Sequence, residues 1–399
     1  MKILQVNKFF YVKGGSERYF FDVSSALEEA GHEIVHFSMQ DDRNEESPYE
    51  EYFIRNIDFT GKKSIKRGVH YIYSLEASEM IKRLVKKTKP DVAHLHNIAH
   101  QLTPSVIVML QQQQIPIVQT LHDYQLICPN YQMFTQGSPC ERCKKHKYWN
   151  AITHTCVQDS KASSALSAFE MTFHNQILKS YEWGVNRYIA PSKFLYTKLL
   201  EWGIRKSQIA YLPHFVERER DANIRKKNQV LYVGRLSKEK GVHVLVDAAK
   251  ELPDVEVLIA GEGEEREAIE AKIKKDKLKN CKLLGYKVKD ELDWLVQESK
   301  AVIVPSLWWE NAPLAVYEAL ALGTPVIGSN FGGLVELIQN GKNGYTFEPG
   351  NPADLAKKVE MLLNNGSIKT GNNRFGREEH LRKLVRIYET AQDRTAPKL

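Results

Sequence analysis

An α/β fold of two doubly wound parallel-sheet domains is what this 399-residue chain predicts. Short apolar strands alternate with amphipathic helices in each half, the pattern of parallel strands covered on both faces. Between the two series, residues 216–229 are polar and charged without periodicity, and are read as a linker.

The first series opens with a strand at Ile3–Val6, a turn at Lys13-Gly14-Gly15-Ser16 and a helix from Glu17 to Ala30 that Gly31 ends. Glu33–Phe37 reads as the next strand. Ile81, Leu84 and Val85 then fall at helical spacing beneath a basic face of Lys82, Arg83, Lys86, Lys87 and Lys89. Val92–Leu95, Ile117–Thr120 and Arg187–Ala190 read as three further buried strands. The second series begins at Val230–Val233, followed by a helix whose Leu245, Ala248, Ala249 and Leu252 mark a core face. Glu256–Ala260, Cys281–Leu284, Ala301–Val304 and Pro325–Ile327 continue it. After a polar break at Asn364–Gly376, Arg377–Gln392 forms an amphipathic helix. The expected division is residues 1–216, carrying a cysteine-rich insertion at about 124–160, then 217–375, then a segment 376–399 crossing back to the first domain.

Hydrophobic residues make up 42% of the chain and charged residues 26%, a globular balance that excludes general disorder. Mean hydropathy is −0.43, and no apolar run approaches the roughly twenty residues of a spanning helix. Met1–Asn7 reads as a strand with no charged-then-apolar leader, so a cytoplasmic location is expected. The net charge of +7 tilts towards the first half: residues 1–216 carry 26 basic and 21 acidic side chains, the remainder 30 and 28. Lys62, Lys63, Lys66 and Arg67 form a second basic run. A solvated face explains both runs, and an anionic membrane surface is the alternative partner. No aromatic–basic interleaving accompanies the charge, so no nucleic-acid partner is expected.

Chemistry concentrates in Pro305–Leu320. Glu310 falls in the loop after a strand, at the carboxyl edge where open parallel sheets bind ligands. The helix that follows begins near Pro313 and carries Glu318, so two carboxylates could bind two hydroxyl groups of one extended polar ligand. Arg235 and Lys240 follow another strand, one a rigid fork of donors, the other a compact charge. Gly14 and Gly15 let backbone N–H groups at a helix start approach a ligand closely, a lone GG being otherwise a tight strand-to-helix turn. Trp308 and Trp309 suit stacking on a sugar or base, or packing at the rim. His94, His96, Asn97 and His100 cluster after a strand end and are read as hydrogen-bonded loop residues, with a metal set as the alternative. Gly261-Glu262-Gly263 is read as a turn.

Of five cysteines, Cys281 is read as a buried small hydrophobe. Cys128, Cys140, Cys143 and Cys156 are spaced C-x11-C-x2-C-x12-C. That spacing suits a structural tetrahedral zinc, with free or redox-active thiols and an iron–sulfur centre as alternatives. His146 and His154 are spare ligands for the same site.

The stretch Glu310-x7-Glu318 followed by Ala319–Ile327 resembles the signature of family 4 retaining glycosyltransferases. Gly14–Glu17, His122-Asp123, Val233–Gly241, Gly332-Gly333-x-x-Glu336 and Gly341-x-x-Gly344 match further family motifs in chain order. The resemblance implies the GT-B fold, two facing Rossmann-like domains with a cleft between them. It implies an N-terminal acceptor domain, a C-terminal domain for a UDP- or GDP-sugar, and transfer with retention to a hydroxyl acceptor. It further implies Arg235 and Lys240 on the donor diphosphate, Glu310 on sugar hydroxyls, Glu318 on the ribose, and His122 on the transferred sugar. Pro313 stands where many members have a glycine N–H towards phosphate, so phosphate contacts must come from Ala312, Leu314 or side chains. Asn311, where glycine is commoner, is placed to touch the sugar. No catalytic metal is expected, since the two cations supply the charge. A lipid-linked acceptor in envelope or capsular polysaccharide synthesis, at the inner membrane face, fits the family and the basic first half. The rivals are a catalytically idle nucleotide-sugar-binding or zinc-held interaction module, and a related epimerase or phosphorylase.

Overall fold

The computed structural model describes residues 1–57, 59, 65–221, 223–364, 368 and 376–393. Lys62 and Lys63 of the second basic run, and most of the Asn364–Gly376 break, lie outside these residues. The chain divides into two compact units. One comprises Met1–Met133, Glu141–Pro213 and Glu378–Leu399; the other comprises Phe134–Cys140 and His214–Arg377.

The first unit is built on six strands, β1 (Lys2–Val6), β2 (Glu33–Phe37), β3 (Val92–Leu95), β4 (Ile117–Thr120), β7 (Arg187–Ala190) and β8 (Ile209–Tyr211). Between β4 and β7 the chain forms a small hairpin of β5 (Phe134–Thr135) and β6 (Ser138–Pro139). The six strands are all parallel, in the order β2-β1-β3-β4-β7-β8. Every residue of β3 and β4 is buried, as strands covered on both faces must be. The helix Gly15–Glu29 seats Tyr19, Phe20, Val23 and Leu27 against the sheet side of the unit and leaves Glu28 and Glu29 in water. The last helix, Arg377–Gln392, contributes buried His380, Leu384, Tyr388 and Ala391, and from Glu378 onwards it belongs to this unit.

The basic helix runs from Leu75 to Thr88, capped by the Ser74 hydroxyl accepting from the Ala77 N–H. Ile81, Leu84 and Val85 are buried, while Arg83, Lys86, Lys87 and Lys89 are exposed. No helix among the described residues is long and apolar enough to cross a membrane.

The second unit holds β9 (Gln229–Val233), β10 (Glu256–Ala260), β11 (Cys281–Gly285), β12 (Ala301–Val304), β13 (Val326–Ser329) and β14 (Gly344–Phe347). They are all parallel, in the order β11-β10-β9-β12-β13-β14. Side chains alternate between two cores, one on each face. Val230, Val257, Ile259 and Ile303 enter the core shared with Leu245, Ala248, Leu252 and Leu355. Leu231, Leu258 and Val302 enter the core shared with Val316, Tyr317 and Ala319. In this order the winding reverses between β9 and β12, and the carboxyl edge at such a reversal is where doubly wound sheets open a crevice.

The structure corrects one expectation here. Residues 216–229 are not an idle linker, because Val216 is buried and the Arg218 side chain is only 6% exposed within an ion pair.

Candidate functional site

Within the second unit, the residues singled out for chemistry gather at the β9/β12 reversal. The loop after β9 carries Arg235 and Lys240; the loop after β12 carries Glu310. Lys240 Nζ donates to Glu310 Oε1 over 2.8 Å, and the Ser306 hydroxyl donates to the same oxygen over 2.5 Å. The Lys240 ammonium also lies 5.0 Å from the centre of the Trp308 ring, a cation–π contact. Burial pushes the Glu310 carboxyl up, but Lys240, aided by bonds from Ser306 and Trp308, outweighs it and holds the group below its usual value. Glu310 is therefore an anion at neutral pH, buried with 4% of its side chain exposed, and acts only as an acceptor.

Backbone geometry fixes both loops. Gly241 sits at φ +65°, and a Cβ there would stand 2.1 Å from the Pro305 carbonyl, so glycine alone lets the Lys240 loop approach the β12 loop this closely. Gly333 donates its N–H to the Glu310 carbonyl over 2.7 Å, and a Cβ on it would meet the Asn311 carbonyl at 1.7 Å. The Gly261–Gly263 turn packs against the first loop, with Leu236 donating to the Glu262 carbonyl over 2.8 Å.

Arg235 is more open, with 57% of its side chain exposed and one nitrogen 3.0 Å from Glu239. Glu239, which the sequence reading passed over, accepts there and from Ser237 over 2.6 Å, tethering the Arg235 fork within its loop. Pro313 caps the helix Leu314–Ala321, with Glu318 on its second turn. Asn311 is buried, and Ala312 and Leu314 are half-buried against the core. Glu318 accepts from Arg218 over 2.6 Å, and Arg218 also faces Asp293 at 3.4 Å. Arg218 was missed because its partner lies a hundred positions along the chain and no local pattern marks it.

In the first unit, Gly14 caps the helix Gly15–Glu29 with extended backbone at φ −167°. His122 follows β4 by two residues. Its Nε2 lies 3.0 Å from His96 Nδ1, and the two rings stack at 5.3 Å. Burial pushes the His122 imidazole down to about 3 and His94 likewise to about 3, so both are neutral at working pH. Beside His122, burial raises the Asp123 carboxyl, against the Gln125 N–H and Lys8, which lower it. Burial lowers the Lys8 ammonium in turn, partly offset by Asp123 and Glu17. His94, His96 and His100 sit in hydrogen-bonded positions: His94 Nε2 meets the Thr120 hydroxyl at 2.7 Å, and His100 Nε2 meets the Tyr71 hydroxyl at 3.2 Å.

A zinc ion on Cys128, Cys140, Cys143 and Cys156 is not shown. Among the described residues, no group of three or more His, Cys, Asp or Glu side chains is placed to hold a metal ion. Cys128, Cys140, Cys143 and Cys156 are not paired in disulfides. The Cys128 thiol donates to Asn130 Oδ1 over 2.9 Å. Cys143 is drawn instead into an apolar cluster with Tyr148, Ala168 and Met171.

A family model described as Glycosyltransferase Family 4 matches residues 13–220, and one described as Glycosyl transferases group 1 matches residues 215–379. The chain is 26% identical over 413 aligned positions to a glycogen synthase of Mycobacterium tuberculosis, covering 95% of this chain and 90% of that protein. It is 32% identical over 171 positions to an uncharacterised glycosyltransferase of Methanocaldococcus jannaschii, covering 41% of this chain and 48% of that one. HepE of Anabaena, solved with UDP and glucose, superposes with a TM-score of 0.66 at 18% identity, covering 98% of this chain and 100% of that one. At that identity the likeness establishes a shared fold, the GT-B fold.

Proposed function

The chain belongs to Glycosyltransferase Family 4, and on that footing we propose that it transfers a sugar from a nucleoside diphosphate donor to a hydroxyl acceptor with retention. The observation that carries the reading is the meeting of Lys240 and Glu310 at the strand-order reversal of the second unit.

In this reading Arg235 and Lys240 neutralise charge that builds on the departing diphosphate, which lowers the barrier where it is highest. Glu310, kept ionised by Lys240, accepts hydrogen bonds from sugar hydroxyls, and Asn311 lies beside it. Glu318, oriented by Arg218, receives the ribose, and the N–H groups of Ala312 and Leu314 face phosphate. His122, neutral, directs a lone pair towards positive charge developing on the sugar ring, and Gly14 and Gly15 admit the acceptor. The acceptor O–H attacks the anomeric carbon on the face from which the diphosphate leaves. The bond from that carbon to the phosphate oxygen breaks, and a phosphate oxygen takes the acceptor proton. The two cations supply the countercharge, so donor binding needs no metal ion.

The exposed Arg83, Lys86, Lys87 and Lys89 support a lipid-linked acceptor presented at an anionic inner-membrane face, as in envelope or capsular polysaccharide synthesis. The test is product analysis with UDP- and GDP-sugars, with and without a lipid-linked hydroxyl acceptor. A glycosylated product with retained configuration is expected. Nucleotide binding without product for any donor would leave the chain an idle binding module, and an epimerised sugar nucleotide would make it an epimerase.

A further inference from the structure

Behind His122, inside the first unit, a line of hydrogen bonds ends on an amide. Gln5 lies on β1 beside β3, and its Oε1 is 2.9 Å from His96 Nε2. His96 Nδ1 is in turn 3.0 Å from His122 Nε2. Gln5 and His96 are wholly or almost wholly buried. We propose that Gln5 is a positioning residue for His122, acting through His96 to fix which nitrogen of His122 carries its proton.

An amide oxygen only accepts, so His96 must donate from Nε2 and carry its proton there. With His96 neutral, that N–H is its only one, which leaves its Nδ1 as a lone pair. His122 must then donate from Nε2, and its Nδ1 becomes the lone-pair nitrogen. The Gln5 Nε2 has no hydrogen-bond partner, and the amide oxygen is the end that meets His96. Tyr388 is held in place by His94 Nδ1 at 2.8 Å. Burial keeps His122 itself neutral. A lone pair is the useful end of His122 for a sugar ring gaining positive charge; the opposite tautomer would present an N–H dipole that opposes it. This rests on the role given to His122 above.

The test is long-range ¹H–¹⁵N spectroscopy of histidine-labelled protein, which separates the two tautomers, beside turnover and diphosphate binding. In the wild type, both His96 and His122 should be Nε2-protonated. Gln5→Leu should shift His96 to the other tautomer or a mixture. It should also lower kcat about tenfold, as small misplacements of a reacting group do, with diphosphate affinity unchanged within about twofold. An Nδ1-protonated His96 in the wild type overturns the proposal whether or not the variant folds. So does a Gln5→Leu protein with unchanged tautomers and turnover, or with kcat and diphosphate affinity lost together. His122→Ala separates the two layers. If it keeps full turnover, the role of His122 fails; if it loses turnover while Gln5→Leu changes nothing, the positioning role alone fails.

Discussion

Arg218 Nη2 stands 2.6 Å from Glu318 Oε1 and its Nε 3.4 Å from Asp293, so a residue from the connecting segment neutralises the second carboxylate of the Glu-x7-Glu pair. With 6% of the Arg218 side chain exposed against 16% for Glu318, the pair is mostly out of water. Removing one member strands the other, which is the costly half of any buried ion pair.

Arg218→Ala should therefore lower stability by about 3 kcal/mol and weaken diphosphate binding, because Glu318 loses its orientation. Chemical denaturation and calorimetric titration with UDP and GDP check both parts. Unchanged denaturation would mean that the pair is solvated in solution.

Arg235→Ala should reduce turnover on the order of 10²-fold or more, the usual loss when a donor to transition-state charge is removed. Arg235 is largely exposed and tied only within its own loop, so folding should be untouched. Initial rates at saturating donor are the measurement, and activity within about threefold of wild type would remove Arg235 from the diphosphate.

Glu310→Ala and His122→Ala should each depress kcat more than diphosphate affinity, because their contacts are to the sugar. Glu318→Ala should weaken binding of the free diphosphate as well, since the ribose is common to donor and product. Calorimetry beside turnover separates the three. An equal loss of nucleotide affinity in all three, or full turnover without Glu310, would show that the donor has been misplaced.

Glu170 gives a pH signature. Burial raises its carboxyl from about 4.5 to about 8, and its Oε2 has no hydrogen-bond partner. Between those values the folded protein keeps a proton that the unfolded chain has released. Stability should accordingly fall as pH rises through the window, by up to about 1.4 kcal/mol per unit from this group, and level off above it. Glu170→Gln should remove that slope and stabilise the protein at pH 8 while changing little at pH 4. Melting curves of both proteins from pH 4 to 9 test it; parallel curves would mean that water reaches the carboxylate.

Much of the framework was legible because buried parallel strands are written as unbroken apolar runs. Glu33–Phe37, Val92–Leu95 and Ala301–Val304 stand in the structure at the limits their composition suggests. Ile209–Tyr211 escaped notice since a three-residue edge strand is too short for any period. Gly344–Phe347 did as well, its opening glycine reading as part of the preceding turn. At the site, Lys240 and Glu310 could be picked out by residue type and by their places after strands. Their contact across 70 positions depends on strand order, which no local pattern encodes. Arg218 and Gln5 were hidden for the same reason. For the thiols, a ligand-like spacing is a statement about the chain, whereas the packing of Cys143 beside Tyr148 is decided by apolar burial.

The last helix also sets an order of assembly. The first unit receives His380, Leu384 and Tyr388 from residues made after the whole of the second unit's main segment, His214–Arg377. On the ribosome, that main segment emerges uninterrupted and has its full parallel sheet in hand while its predecessor still lacks a covering helix. Until Tyr388 arrives, His94 is without the hydroxyl that holds its Nδ1. The half of the protein that is translated first is thus the half that matures last, and chaperone dependence should be greatest for nascent chains halted between residues 214 and 378.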